Sequence, residues 1–272
     1  MAVTIVVFAF LASTISTLAE KVTLNDVLFS GGYEFIDLTH PYDNNTVYWP
    51  GHQKFTFTKK IENIQEDKSW YAAKEFSAAE HGGTHLDAPY HFLQTGDYVG
   101  DIPLEKLIVP LIIVDVSSIA NDDANFVLYK HHLDYLLNYN SGQPCILIFK
   151  FGWSKYFHDR NKYLGIGIDQ KSLNFPGLSV EVAQWITTSY KNVVGIGVDV
   201  ASVDPGSVKE LAVHKILSRA GLYNMENVKL DRAIPEFIFR SWMHCFGYAN
   251  ENSCRYWGTT AACSYLSEAK TR

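Results

Sequence analysis

Three His and one Asp crowd the segment His81-Gly82-Gly83-Thr84-His85-Leu86-Asp87-Ala88-Pro89-Tyr90-His91. Neutral imidazole and carboxylate together suit Zn²⁺, Mn²⁺ or Fe²⁺. The chemistry they imply is metal-assisted hydrolysis, in which a bound cation lowers the pKa of water towards neutrality. His81 and His85 are four apart, the spacing of one helix face, yet Gly82, Gly83 and Pro89 oppose a helix. A bent loop leading into an extended segment fits better, with Gly82 and Gly83 free to take backbone angles closed to other residues. From His85 onward, His85, Asp87, Pro89 and His91 fall on one face of an extended chain. At ~3.3 Å per residue, His85 and Asp87 can share one cation, while His91 lies up to ~20 Å along a straight strand. His91 joins the site only if the chain bends; otherwise it faces the substrate.

The segment resembles the signature of the cyclase family of metal-dependent hydrolases, H-x-G-T-H-x-D-x-P-x-H, at every fixed position. That family includes bacterial kynurenine formamidase and isatin hydrolase. Ile36-Asp37-Leu38-Thr39-His40-Pro41 is similar to its opening strand and Trp49-Pro50-Gly51 to a substrate-pocket segment. Gly197-Val198-Asp199 with Ser202-Val203-Asp204-Pro205 is similar to a downstream strand and loop. The resemblance implies that His81, His85 and Asp87 bind a first metal. It implies that Asp87 bridges to a second, held by His214 and Glu226. It gives His91 the general acid/base role and places Trp49 in an aromatic substrate pocket. One position departs: formamidase-type relatives usually carry an acidic residue after Trp-Pro-Gly, and here it is His52.

The activity implied is hydrolysis of a carbon–nitrogen amide bond in a small aryl substrate, above all an arylformamide such as N-formylkynurenine. The same residues serve a cyclic amide such as isatin, or a lactone. A secreted, non-catalytic small-molecule-binding protein on this scaffold is the alternative from another class. The cofactor expected is one or two divalent ions, Zn²⁺ or Mn²⁺. A small aromatic substrate and a homo-oligomer, dimer or tetramer, complete the expected partners.

Other chemistries lack their residues. There is no His-Glu-x-x-His, no Gly-x-Ser-x-Gly, no phosphate loop and no third glycine after Gly195-Ile196-Gly197. A net charge of -6 and a pI near 5.9 give no support to nucleic-acid binding. No later stretch is long and apolar enough to span a bilayer. Residues 1–19 read as a secretory signal peptide ending at Leu18-Ala19, which implies an extracellular protein beginning at Glu20. Asn44-Asn45-Thr46 forms a glycosylation sequon. Cys145 sits in an apolar run, while Cys245, Cys254 and Cys263 cluster near the C-terminus, where an oxidising compartment permits a disulfide of unassigned connectivity.

The elements that must position these residues read as one α/β domain over 20–272, richer in strand than helix. Strands are expected at Phe35–Leu38, Phe55–Phe57, Leu107–Val116, Cys145–Phe151, Val193–Val200 and Phe237–Phe239. The almost wholly apolar run from Val193 predicts a central buried strand. Helices are expected at Val180–Tyr190, capped by Ser179, at Val208–Ala220 and at Lys130–Tyr139. His131 and His132 read as solvated. Strands and helices do not alternate strictly, so a doubly wound sheet is not indicated. The resemblance implies a swivelling β/β/α architecture.

Overall fold

The apolar runs become the parallel centre of a sheet. The computed structural model describes residues 23–31, 33–133, 142–231, 241–247 and 258–268. The chain divides into two compact units, Met1–Tyr33 and Glu34–Arg272. In the first, Thr23 and Asp26 form a capping box at the start of helix α1 (Leu24–Phe29). The leader expected over residues 1–19 lies outside the described residues.

The strands are β1 (Tyr33–Asp37), β2 (Thr56–Ile64), β3 (Trp70–Ser77), β4 (His85–Asp87), β5 (Ile108–Asp115), β6 (Val127–Leu128), β7 (Cys145–Lys150), β8 (Gly177–Leu178), β9 (Val193–Val198), β10 (Tyr223–Glu226), β11 (Ser241–Gly247) and β12 (Gly258–Glu268). The remaining helices are α2 (Leu104–Leu107), α3 (Ser117–Ala120), α4 (Arg160–Leu164), α5 (Val180–Ser189) and α6 (Ala212–Arg219). The main sheet runs β1-β12-β11-β5-β7-β9-β10-β4, and β12 pairs with β4 as well. The pairings from β12 round to β4 therefore close a ring, which leaves β4 paired on both sides. β5, β7, β9 and β10 are parallel neighbours. β9 is the central strand its composition predicts.

Alternate residues of these strands feed two cores. Leu111, Ile146, Ile148, Tyr223, Met225 and Leu86 bury into one. Ile112, Val114, Leu147, Phe149, Ile196 and Val198 bury into the other, together with residues of α5 and α6. Burial on both faces explains the near-continuous apolar runs. Ser179 caps α5 as expected, its hydroxyl accepting the Val182 N–H at 3.1 Å.

The expected helix from Val208 begins only at Ala212. Leu211 takes a left-handed φ of 47°, and the Asp204 carboxylate accepts the N–H groups of Val213 and His214. That side-chain cap fixes the helix start where local periodicity does not. Residues 130–133 form a 3-10 turn, and 134–139 of the expected third helix lie outside the described residues. His132 is half-buried, not solvated, with its ring against Phe126. The strand expected at Phe55–Phe57 is the beginning of a long β2–β3 ribbon, exposed on both faces and crossed by the Lys59–Glu75 and Lys74–Glu62 ion pairs. The charges hide the strand pattern from a reading based on apolar alternation. Residues 237–239 lie outside the described residues.

Asp199, just after β9, fastens the loop that follows β7. Its carboxylate accepts the backbone N–H groups of Phe151 (2.7 Å), Trp153 (2.9 Å) and Ser154 (3.4 Å). Burial pushes its pKa up to about 6, against the opposing pull of these donors. Asp199→Ala strands buried N–H groups and should cost about 2–4 kcal/mol in urea unfolding. A loss under about 1 kcal/mol would show that water takes over those donors.

Candidate metal centre

Leu86 points into a core, so its neighbours His85 and Asp87 face the other side of β4. The antiparallel register sets Glu226 opposite His85, Met225 opposite Leu86 and Asn224 opposite Asp87. Met225 shares the core with Leu86, so Glu226 and Asn224 share the outer face with His85 and Asp87. Helix α6 adds the buried His214 from above that face. Sheet register and one helix thus bring Glu226 and His214 to the short motif. Local periodicity carries no trace of this meeting.

The donor atoms converge. Asp87 Oδ1 lies 2.8 Å from His81 Nδ1 and 3.2 Å from His85 Nε2. Asp87 Oδ2 lies 3.4 Å from His214 Nε2. His214 Nε2 is 3.0 Å from Glu226 Oε1, and His85 Nε2 is 3.6 Å from Glu226 Oε2. Despite this proximity, neither Asp87 oxygen has a protein partner in hydrogen-bonding geometry.

The far nitrogens explain why. His85 Nδ1–H donates to the Gly83 carbonyl at 2.9 Å. His214 Nδ1–H donates to Asp204 Oδ2 at 2.7 Å. Each bond fixes the neutral tautomer whose Nε2 lone pair faces the carboxylates, the orientation that a metal ligand needs. Lone pairs and carboxylate oxygens gathered away from water require positive charge between them. Burial opposes protonating His85, but Asp87 and Glu226 outweigh it and raise its pKa to about 9. Burial likewise opposes charge on His214, which Asp204, Asp87 and Glu226 reverse. Asp87 is held well below the usual carboxylate range, burial being overcome by His81 and His85. A field that holds protons on imidazole also holds a divalent cation, so the donor set fits a metal.

His81, His85, Asp87, His214 and Glu226 all reach this cluster, as the sequence expectation has it. One potential ligand group is His81, Asp87 and His91, and the other is His85, Asp87 and Glu226, with Asp87 common to both. His91 arrives because the chain bends. β4 ends at Asp87, and the 3-10 turn Pro89–His91 folds back until the His91 ring stacks on His81 at 4.2 Å. Burial, reinforced by His81, His214 and His85 and opposed by Asp87, lowers His91 to about 4. The His91 ring is therefore neutral at pH 7.

The small residues of the motif have structural causes. A Cβ on Gly82 would meet the buried Tyr48 ring, and Gly83 takes φ +61°. Thr84 Oγ1 donates to the Asn227 carbonyl and accepts the His40 N–H. Asn227 Nδ2 donates to the Gly83 carbonyl that also anchors His85. Tyr48, buried under Gly82, supports the motif. Trp49 is half-buried with its ring edge-on to Phe175 at 6.2 Å. Phe92 lies against the His214 ring at 4.8 Å. Partial burial lowers the pKa of His52, and the neighbouring His81 adds to the shift.

Asp204 has no assigned role in the sequence reading, although its loop is singled out there. The same loop supplies the Val203 N–H to Glu226 Oε1 at 3.1 Å. The loop thus holds both distant donors, His214 and Glu226. Glu226→Gln should lower bound metal by about one equivalent per chain if two ions bind. Asp204→Asn should weaken metal affinity by roughly 10–100-fold, the usual effect of losing a ligand's outer partner. Elemental analysis and competitive chelator titration measure both. Unchanged stoichiometry and affinity would remove these residues from the centre.

A family model described as "Putative cyclase" matches residues 36–205. The kynurenine formamidase of Bacillus thuringiensis subsp. konkukian is 31% identical over 198 residues, covering 73% of this chain and 83% of that protein. Isatin hydrolase A from Ralstonia solanacearum superposes with a TM-score of 0.78 at 21% identity, covering 92% of this chain and 99% of that one. A structure described as a "predicted metal-dependent hydrolase from Bacillus stearothermophilus" superposes at 0.64 with 18% identity, over 86% and 98% of the two chains. The fold is shared with these solved structures, and the chain belongs to the cyclase family.

Proposed function

We propose that this protein is a metal-dependent hydrolase of a C–N amide bond in a small aryl substrate, above all an arylformamide. The observation that carries this reading is Asp87, buried between His81, His85 and His214 with neutral His91 stacked beside them. Relatives about 30% identical, named kynurenine formamidase, support the formamide over a lactone. Zn²⁺ and Mn²⁺ both suit His, Asp and Glu donors without Cys.

His81, His85, Asp87, His214 and Glu226 would hold the metal. When bound, it polarises a carbonyl and lowers the pKa of water. His91, neutral near pH 7, takes the proton of the attacking water and returns it to the departing nitrogen. Phe92 and Trp49 offer aromatic surface for the aryl ring. For N-formylkynurenine the products are formate and kynurenine.

The metal-loaded protein should turn over aryl formamides with a higher kcat/KM than isatins or aryl lactones, read by formate release and product absorbance. Preference for isatin or lactone would reassign the substrate; tight binding without turnover would favour the non-catalytic alternative. His91→Ala should lower kcat by roughly 10²–10⁴-fold with metal content retained. Loss of metal in that variant would make His91 a ligand.

We also propose an extracellular homo-oligomer, dimer or tetramer. The residues 1–19 composition supports secretion. The ribbon β2–β3 supports self-association, since it exposes Phe57, Ile64, Trp70, Tyr71 and Phe76. No described helix is long and apolar enough to cross a membrane. Protein recovered from the medium of its native cells should begin at Glu20 and exceed one chain's mass in light scattering. Retention of Met1 or Ala2, or a monomeric mass, would sink the corresponding half of this proposal.

A further inference from the structure

Strands β11 and β12 set two of the C-terminal cysteines against each other. Their antiparallel register pairs Cys245 with Cys263, between the pairs His244–Ser264 and Phe246–Ala262. Directly opposed residues of an antiparallel pair lie on the same face, about 4.5–5.5 Å apart at Cα. A disulfide spans ~4.4–6.8 Å at Cα. We propose that Cys245 and Cys263 form a cross-strand disulfide.

The register chooses among connectivities that the sequence leaves open. Cys145 is buried on β7, and burial pushes its thiol up to about 11, so little of it is the reactive thiolate. Cys254 lies outside the described residues. Cys245 and Cys263 stand at one register position, a juxtaposition that neither strand's sequence contains. Closure consumes glutathione disulfide. The two thiols give up two protons and two electrons as one S–S bond forms, and two glutathione thiols result.

The bridge has a consequence for the metal centre. β12 pairs first with β4, matching Gly258 to Asp87 and Thr260 to His85, and then with β11. Cys263 is three residues beyond Thr260. A covalent tie there holds β12 to β11 close to the point where β12 flanks the ligand-bearing strand. The bridge also closes a loop over residues 246–262, which restricts the unfolded chain.

The test uses the full chain, equilibrated with glutathione disulfide, alkylated and digested without reduction. Mass spectrometry should find the Cys245 peptide joined to the Cys263 peptide, with Cys145 and Cys254 alkylated. Cys254→Ser should keep the link. A link from Cys254 to either partner, or full alkylation of Cys245 and Cys263, would overturn the proposal. The oxidised chain should melt about 5–10 °C above the reduced one. A variant carrying both Cys245→Ser and Cys263→Ser should show no such difference; an equal difference there would place the stabilising bridge elsewhere. The glutathione buffer sets the redox poise, so the result is independent of where the protein resides.

Discussion

Two buried carboxylates facing imidazole lone pairs organise the functional half of this molecule. Asp87 and Glu226 sit among His81, His85 and His214 with almost no exposure to water. Burying such charge without a positive partner is costly. The surroundings hold each donor in place. Gly83 anchors His85, Asp204 anchors His214, and the Val203 N–H anchors Glu226. The strongly shifted pKa values of His85, His214 and Asp87 express the same demand for positive charge that a divalent cation satisfies.

The closed ring of strands gives this arrangement its rigidity. β4 is only three residues long, yet it pairs with β10 on one side and β12 on the other. Leu86 plugs it into the core. A strand so pinned can present His85 and Asp87 with fixed directions, and the 3-10 turn behind it returns His91 to the same place. Asn227 links the ends of the system, since its side chain binds the Gly83 carbonyl and its own carbonyl accepts from Thr84. Donor geometry and motif backbone therefore stand or fall together.

The chemistry was legible in the short motif because its residues are neighbours in sequence. The spacing from His81 to Asp87, the bend at Gly82-Gly83 and the central β9 strand all follow from local sterics and apolar patterning. So does the capped helix α5. The open question about His91 turned on whether the chain bends after β4. Pro89 opens the 3-10 turn that bends it. Of the β2–β3 ribbon only the start near Phe55–Phe57 was legible, because the rest is exposed on both faces and no alternation of apolar and polar residues marks it.

The tertiary structure alone decided how the distant residues meet. Glu226 reaches His85 through strand register, and His214 reaches Asp87 because Asp204 fixes where α6 begins. These are long-range pairings, set by which strands lie side by side and which loop caps which helix. The same holds for Asp204 and Asn227, whose roles depend on partners far along the chain, and for Cys245 opposite Cys263. Sequence by itself determined which chemistry the chain could perform, because donor types and local spacing are properties of neighbouring residues. Tertiary structure decided which donors share one centre and in which tautomers, because that depends on burial and hydrogen bonds that exist only after the sheet has closed.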